Sequence, residues 1–206
     1  MKVSPEPLPV SEFLLFISHD KKKQMSKRVG STSVPHGAAF SFLLMAAALV
    51  ANADPFIGGS GANDFTGTDR RDVFVTDGGN DYVVGNDGND IILLGDGNDT
   101  AFAGPGDDRT NGGDGADEFI FDPGDSDGED FTDGGDAGWF DRATFNFLLK
   151  PAQISICIDK NGDIIVHDPG QNSGVYRLRN IEVLDFIDAQ GNHNVIIVAQ
   201  AQFPPC

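Results

Sequence analysis

Aspartates recur at a constant interval through the middle of this 206-residue chain. Each lies nine residues from the next, and five of the six follow a glycine by two positions. Carboxylates set among flexible backbone carbonyls are oxygen ligands for a hard cation, and these turns contain no His or Cys that would favour zinc. Ca²⁺, which accepts about six to eight oxygens, suits them better than Mg²⁺. The spacing therefore predicts calcium ligands at Asp72, Asp81, Asp90, Asp99, Asp108 and Asp117.

The glycines of the repeat are predicted to shape the turns around these carboxylates. Glycine adopts positive φ without steric cost, so a glycine two residues before an aspartate permits a tight turn with exposed carbonyl oxygens. The carbonyls and the carboxylates together form the predicted metal sites. The glycines assigned to these sites are Gly79, Gly88, Gly97, Gly106 and Gly115.

The segments between the turns must then be short strands. A three-residue strand presents only its middle side chain to the interior, because side chains alternate between faces. Two units would form one coil, so turns on the same side would stack about 4.8 Å apart in space. Aspartates stacked at that distance repel each other unless a cation lies between them. The residues predicted to face inward are Phe74, Val83, Ile92, Ala101, Thr110 and Phe119.

Five consecutive units carry the pattern most completely. They are TDGGNDYVV (76–84), GNDGNDIIL (85–93), LGDGNDTAF (94–102), AGPGDDRTN (103–111) and GGDGADEFI (112–120). They resemble the nonapeptide G-G-x-G-x-D-x-U-x of RTX, or haemolysin-type, calcium-binding proteins. The resemblance implies an all-β fold, a right-handed parallel β-roll, with calcium as the cofactor and each ion held between turns two units apart. The implied ligand pairs are Asp81/Asp99, Asp99/Asp117 and Asp90/Asp108.

The first units of the repeat are irregular. In GTDRRDVFV (67–75), Arg70 stands where the turn requires glycine, so a fourth pair, Asp72/Asp90, is left open. In GGSGANDFT (58–66), Asn63 occupies the aspartate position. These units are expected to form an end cap. A disordered Gly/Asp-rich linker is the alternative, but it would not keep six aspartates in phase.

The charge balance points to a missing cation. The net charge is −18, and from Asp54 onward the chain has eight basic residues against 29 acidic ones. Such a surface repels phosphate backbones, so we expect no nucleic-acid partner. It also opposes compaction unless counter-charges are supplied.

The N-terminal segment is interpreted as a leader and signal peptide, residues 1–53. Lys27 and Arg28 precede the apolar stretch GAAFSFLLMAAALVANA (37–53), which ends in small residues and predicts cleavage after Ala53. The apolar run is shorter than a membrane span, so we expect no membrane span in the mature chain. Counting from Met25 gives a signal of ordinary length, and Met25 is the expected true start. Localisation is predicted as secreted, either extracellular or periplasmic.

The β-roll is predicted to occupy residues 54–140, and a C-terminal β cap residues 141–206. The segment 117–140 resembles the end of the roll in the C-terminal region of serralysin-type secreted proteins, which implies further ligands among Asp125, Asp127, Asp130 and Asp133. Residues 153–168 read as a hairpin with an Asn-Gly turn, and 175–186 and 194–200 as further strands. Whether the two cysteines, Cys157 and Cys206, pair is left open.

The predicted function is that of a secreted calcium-binding protein that folds when its turns bind several calcium ions. No catalytic residue is predicted, because the chain has no H-E-x-x-H and no G-x-S-x-G motif. The alternatives are a calcium-dependent adhesin or matrix protein with a cell-surface partner, and the carrier remnant of a secreted RTX enzyme.

Overall fold

The computed structural model of the protein describes residues 53–122, 128–135, 140–146, 154–167 and 174–206. The predicted leader up to residue 52 lies outside the described residues, as do Asp125 and Asp127. In chain order the strands are β1 Asp54–Ile57, β2 Asp64–Thr66, β3 Asp72–Gly78, β4 Tyr82–Val84, β5 Ile91–Asp96, β6 Thr100–Phe102, β7 Arg109–Asp114, β8 Glu118–Phe121, β9 Glu129–Gly135, β10 Arg142–Phe145, β11 Ser155–Ile158, β12 Ile164–His167, β13 Val175–Arg179, β14 Val183–Ile187 and β15 His193–Ile197, followed by a 3-10 turn at Val198–Gln200.

Successive strands alternate between two sheets. The first sheet has the order β1-β3-β5-β7-β9-β13-β12-β11, and the second has the order β15-β14-β10-β8-β6-β4-β2. Neighbouring strands of the repeat are parallel, and Val83 pairs with Ala101, its counterpart two nine-residue units later. One coil therefore contains two units, and the predicted all-β parallel β-roll is confirmed.

The side chains between the sheets form a narrow core. All six residues predicted to face inward are buried, and all of them except Thr110 join one apolar cluster with the aromatic rings of the later coils. Phe56 stacks on Phe74 at 4.7 Å between ring centroids. The Phe121 and Phe145 rings stack at 4.9 Å. The coils that contribute Ala101 and Thr110 have the smallest interior side chains, so burial alone stabilises them least.

The two sheets differ in strand length. In the second sheet, β4 and β6 have the predicted three residues, whereas β3 and β5 in the first sheet have seven and six. The longer strands continue into the turns because Asp77 pairs with Gly95 and Gly95 pairs with Gly113. All three residues have positive φ, so the chain bends there without losing its register.

Parallel pairing continues beyond residue 140, where the sequence placed the end of the roll. β10 pairs with β8 and with β14, and β13 pairs with β9. Residues 175–186 were expected to extend as a strand, but the chain turns at Asn180, which has a φ of 50°, and passes from the first sheet to the second. Strands on both sides of residue 140 thus belong to the same two sheets.

Antiparallel strands cover the last coil. The predicted hairpin is present as β11 and β12, and β15 pairs antiparallel with β14. Cys157 and Cys206 form a disulfide with their Cα atoms 5.1 Å apart, which answers the question that the sequence left open. The Ile158 N–H donates to the Pro204 carbonyl at 2.9 Å, so the C-terminal tail is fixed along β11 by both kinds of bond.

Candidate metal centres

The predicted aspartates form two ladders of hydrogen bonds, one along each row of turns. In every case the Oδ1 atom of one aspartate accepts the backbone N–H of the residue one coil earlier. The N···O distances are 2.8 Å for Asp72 to Asp90, 2.7 Å for Asp90 to Asp108, 2.7 Å for Asp81 to Asp99 and 2.9 Å for Asp99 to Asp117. The structure thus brings all six predicted aspartates together in the two rows that the sequence implied.

Both ladders extend past the regular repeat. Asp108 donates its N–H to Asp130 at 3.0 Å, and Asp117 donates to Asp141 at 2.9 Å. The Asp141 N–H in turn donates to Glu182 Oε2 at 3.0 Å. Asp130 was among the further ligands that the sequence implied. Asp141 and Glu182 were missed because they lie outside the nine-residue register. The available signal was the pair Gly134-Gly135 before Asp141, which corresponds to Gly112-Gly113 before Asp117.

The second carboxylate oxygen distinguishes these residues from ordinary structural aspartates. Asp81, Asp90, Asp99 and Asp117 are at most 3% exposed. Their Oδ2 atoms accept no hydrogen bond from any residue that the structure describes. A buried anionic oxygen without a donor is costly unless a cation compensates it. These four atoms are therefore the strongest structural indication of metal binding.

Burial changes the acidity of the same groups. Desolvation raises the pKa of Asp90 and of Asp117 to about 7. The hydrogen bond from the preceding coil lowers both pKa values, but its effect is smaller. Desolvation likewise raises the pKa of Asp99 and of Asp141 to about 6. Neighbouring acidic residues add to the increase in each case, so the ionised ladder repels itself.

Asp72 differs from the other predicted ligands. Its Oδ2 accepts the Thr68 N–H at 2.6 Å, and both of its oxygens lie within hydrogen-bonding distance of the Thr68 hydroxyl. Arg70, which replaces the turn glycine, forms an exposed ion pair with Asp54 at 2.8 Å. The Asp72 carboxylate is therefore satisfied within its own turn. Its assignment as a ligand stays a prediction.

The assigned glycines are required by backbone shape and by close stacking. Gly79, Gly88, Gly97, Gly106 and Gly115 all have φ between 114° and 146°. A Cβ atom on Gly97 would lie closer than 3.0 Å to the Gly79 carbonyl oxygen, and Gly115 has the same relation to Gly97. Any larger residue would push successive turns apart. The turn carbonyls consequently lie directly against the next coil.

The turns also contain a second left-handed position, which sequence reasoning missed. It lies two residues before the predicted glycine and is occupied by Asp77 and Asn86 as well as by glycines such as Gly95. Asn and Asp tolerate this conformation better than other non-glycine residues. Their presence at this place in the turn was the sequence signal that could have predicted the second left-handed position.

The donor set fits calcium. In the described part of the chain no three His, Cys, Asp or Glu side chains converge on one point, so an ion in these turns must combine one or two carboxylates with backbone carbonyls. Carboxylate and carbonyl oxygens on a flexible backbone suit Ca²⁺, whereas Mg²⁺ requires a stricter octahedral geometry. The residues that would hold the ion are the ladder aspartates and their turn glycines.

The implied ligand Asp133 has another arrangement. Its Oδ1 accepts the side-chain N–H of Asn180 at 2.8 Å, and the same amide donates to the Gly135 carbonyl at 2.9 Å. Desolvation raises the pKa of Asp133. The side chain links two neighbouring turns and lies outside both ladders.

The repeat region matches a known family of repeats. The model of the RTX calcium-binding nonapeptide repeat (4 copies) matches residues 57–92 and 84–119. No curated protein matches the chain. Among solved structures, the AlgE6R3 subunit of the mannuronan C5-epimerase from Azotobacter vinelandii is 20% identical; the match covers 75% of this chain and 96% of that chain, with a TM-score of 0.35.

The matched repeats and the parallel coils define a calcium-binding β-roll. Residues 57–119 match the RTX calcium-binding nonapeptide repeat and form parallel coils of the roll. The nonapeptide repeats are of the calcium-binding kind, as their sequence predicted.

Proposed function

We propose that the protein is a secreted calcium-binding protein whose β-roll folds when its turns bind several calcium ions. The proposal rests on four buried Oδ2 atoms that accept no hydrogen bond from the described chain. They belong to Asp81, Asp90, Asp99 and Asp117. Calcium would compensate these charges and connect successive coils. Because the site exists only in the folded roll, the free energy of binding contributes directly to the free energy of folding.

The ligands proposed for the regular sites are the pairs Asp81/Asp99, Asp99/Asp117 and Asp90/Asp108, together with the carbonyls of the turn glycines. Two carboxylates about 4 Å apart repel by about 4 kcal/mol at an effective dielectric of 20. The core is thin where Ala101 and Thr110 face inward, so burial alone offers little to offset that repulsion. We expect the ion-free chain to be largely unfolded for this reason.

A non-catalytic role is part of the proposal. The His193 Nδ1 atom lies 2.8 Å from Asp185 Oδ2, which also accepts from Arg142 at 2.9 Å. This cluster connects β15, β14 and β10. It gives the His193 imidazole a structural role, so no catalytic role is needed to explain its position. The family comparison finds repeats of a calcium-binding type.

Secretion is supported by the predicted signal peptide and by the calcium requirement. Extracellular calcium modules bind with dissociation constants of about 10⁻⁴ to 10⁻³ M, a range that keeps them empty inside cells. In the described residues there is no helix of the length and hydropathy needed to cross a membrane. Fractionation of expressing cells, with detection in the medium or the periplasm, tests this part of the proposal.

Calorimetric titration of the purified chain with Ca²⁺ tests the binding itself. The proposal predicts several bound ions, and fewer ions in Asp99→Asn, which keeps the Oδ1 acceptor of the ladder but removes the charge. Titration with Mg²⁺ is the control for general charge screening. A chain that binds calcium no better than magnesium would contradict the proposal.

Calcium-dependent adhesion stays a prediction. Pull-down on envelope fractions with and without a chelator separates an adhesin from a calcium-binding protein that has no surface partner.

A further inference from the structure

The turn that joins β9 to β10 lies beyond the matched repeats, which end at residue 119. In the regular turn, Gly112 precedes Asp117 by five residues; here Gly134 precedes Asp141 by seven, so the nonapeptide spacing is lost. Nevertheless, Asp141 Oδ1 accepts the Asp117 N–H at 2.9 Å, as Asp117 Oδ1 accepts the Asp99 N–H at 2.9 Å. The longer turn keeps its aspartate in the ladder.

The oxygens around this turn repeat the arrangement of the regular ones. A Cβ atom on Gly112 would lie closer than 3.0 Å to Asp117 Oδ2 and to the Gly134 carbonyl oxygen. A Cβ atom on Gly134 would meet Asp141 Oδ2 and the Asn180 carbonyl oxygen in the same way. Each glycine is thus a position where its own turn's carboxylate and the next coil's carbonyl converge. The match is geometric and does not depend on the spacing of the motif.

The Asp117 carboxylate at this turn is uncompensated in the same sense as those of the repeat. Asp117 is 1% exposed, and its Oδ2 is directed toward this convergence without a hydrogen bond from any described residue. Asp141 is 2% exposed, and the charges that act most strongly on its carboxyl are those of Glu182 and Asp133, both acidic. Buried carboxylates next to acidic neighbours stay ionised only when a cation compensates them.

We propose that this irregular turn holds a further calcium ion, ligated by the carboxylates of Asp117 and Asp141 and by the carbonyl of Gly134. The inference rests on the proposed calcium binding of the regular turns and extends it by one site outside the nonapeptide repeat. Glu182, whose Oε2 accepts the Asp141 N–H, ends the ladder on this side. The site would connect the last regular coil to the C-terminal coils.

The test counts bound calcium in the full chain by equilibrium dialysis, with the variant Asp141→Asn. The substitution keeps the Oδ1 acceptor for the Asp117 N–H and removes the negative charge. The expected result is one ion fewer than in the wild type. Asp188→Asn is the matched control, because it makes the same charge change in an exposed turn and should leave the count unchanged. A wild-type count in Asp141→Asn overturns the inference.

Two further measurements separate the outcomes. A wild type that binds no calcium contradicts the proposed function itself, whereas a lowered count in Asp99→Asn with an unchanged count in Asp141→Asn contradicts only this site. If Asp141→Asn does not fold, Asp117→Asn is compared with Asp81→Asn, because the inference gives Asp117 two ions and Asp81 one. A loss of two ions in Asp117→Asn against one in Asp81→Asn supports the site. An equal loss in the two variants overturns it.

Discussion

At the residue scale, the ladder aspartates that follow Asp72 use their two oxygens for different purposes. Oδ1 accepts a backbone N–H from the preceding coil and sets the vertical register, as between Asp81 and Asp99. Oδ2 is buried beside the turn and, at Asp81, Asp90, Asp99 and Asp117, has no donor among the described residues. An asparagine can perform the first task but not the second. This division makes Asp→Asn the informative substitution and Asp→Ala the more damaging one.

Asp99→Ala is expected to weaken calcium-driven folding far more than Asp72→Ala. Asp99 belongs to two proposed pairs, whereas the Asp72 carboxylate is occupied by Thr68. We predict that Asp99→Ala raises the calcium midpoint by at least about tenfold, since even outer-sphere partners change metal affinity on that scale. The midpoint is measured by circular dichroism during calcium titration. Equal midpoints for the two variants would contradict the assigned register.

Gly97→Ala tests the close stacking of turns. Gly97 has a φ of 143°, and its Cβ would meet the Gly79 carbonyl oxygen. The left-handed backbone alone costs about 1–2 kcal/mol for an L-residue, and the backbone contact adds to it. We therefore expect a loss of unfolding free energy of more than about 2 kcal/mol in saturating calcium. Gly59→Ala, where a Cβ meets nothing within 4 Å, is the control and should be nearly neutral in chemical denaturation.

At the scale of elements, the strands of the repeat bury few large side chains. Most of the aromatic core comes from the C-terminal strands. Phe121, Phe145 and Phe186 stack in the second sheet, with Tyr176 from the first sheet against them. The middle coils depend on Val83, Ile92 and Ala101. We therefore expect the C-terminal coils to keep residual structure longest when calcium is withdrawn.

The disulfide acts on this C-terminal region and not on the ladders. It closes a loop of 49 residues between β11 and the tail, for which chain entropy gives about 4 kcal/mol of stabilisation. Reduction in saturating calcium should lower the melting temperature without changing the number of bound ions. A reduced protein with fewer ions would show that the tail contributes to the metal sites, contrary to this account.

The repeat could be predicted from the sequence because every unit imposes the same local requirement. Glycine at the turn and aspartate two residues later fixed the two ladders and the inward face. Asp141 and Glu182 could not be found in this way, because their places depend on tertiary pairing across 24 and 41 residues. The long strands of the first sheet were missed because pairing continues through Asp77, Gly95 and Gly113, although all three have positive φ.

At the scale of the whole molecule, proton and calcium should compete for one set of carboxylates. The folded roll raises the pKa of Asp90 and Asp117 from the ordinary 3.8 to about 7. A raised folded pKa means that the folded state binds protons more tightly than the unfolded chain. The folding stability that this proton binding contributes is fully present below pH 3.8. It is lost as the pH rises through about 6 to 7.

The calcium-free protein should therefore gain β structure when the pH falls from about 8 to about 5. With calcium present the dependence reverses, since the ligands must be deprotonated, and the calcium midpoint should rise as the pH falls below about 7. Far-UV circular dichroism across this range, with and without chelator, measures both effects. A pH-independent midpoint would show that the buried aspartates are not the ligands.

The central claim is that calcium supplies the counter-charge that allows this acidic chain to form a roll. Far-UV circular dichroism of residues 54–206 during titration with Ca²⁺, with Mg²⁺ as the control, tests it most directly. The account predicts a cooperative rise in β signal with calcium and none at equal magnesium. A spectrum already folded in chelator and unchanged by calcium would contradict it, because the ladder aspartates would then tolerate burial without an ion.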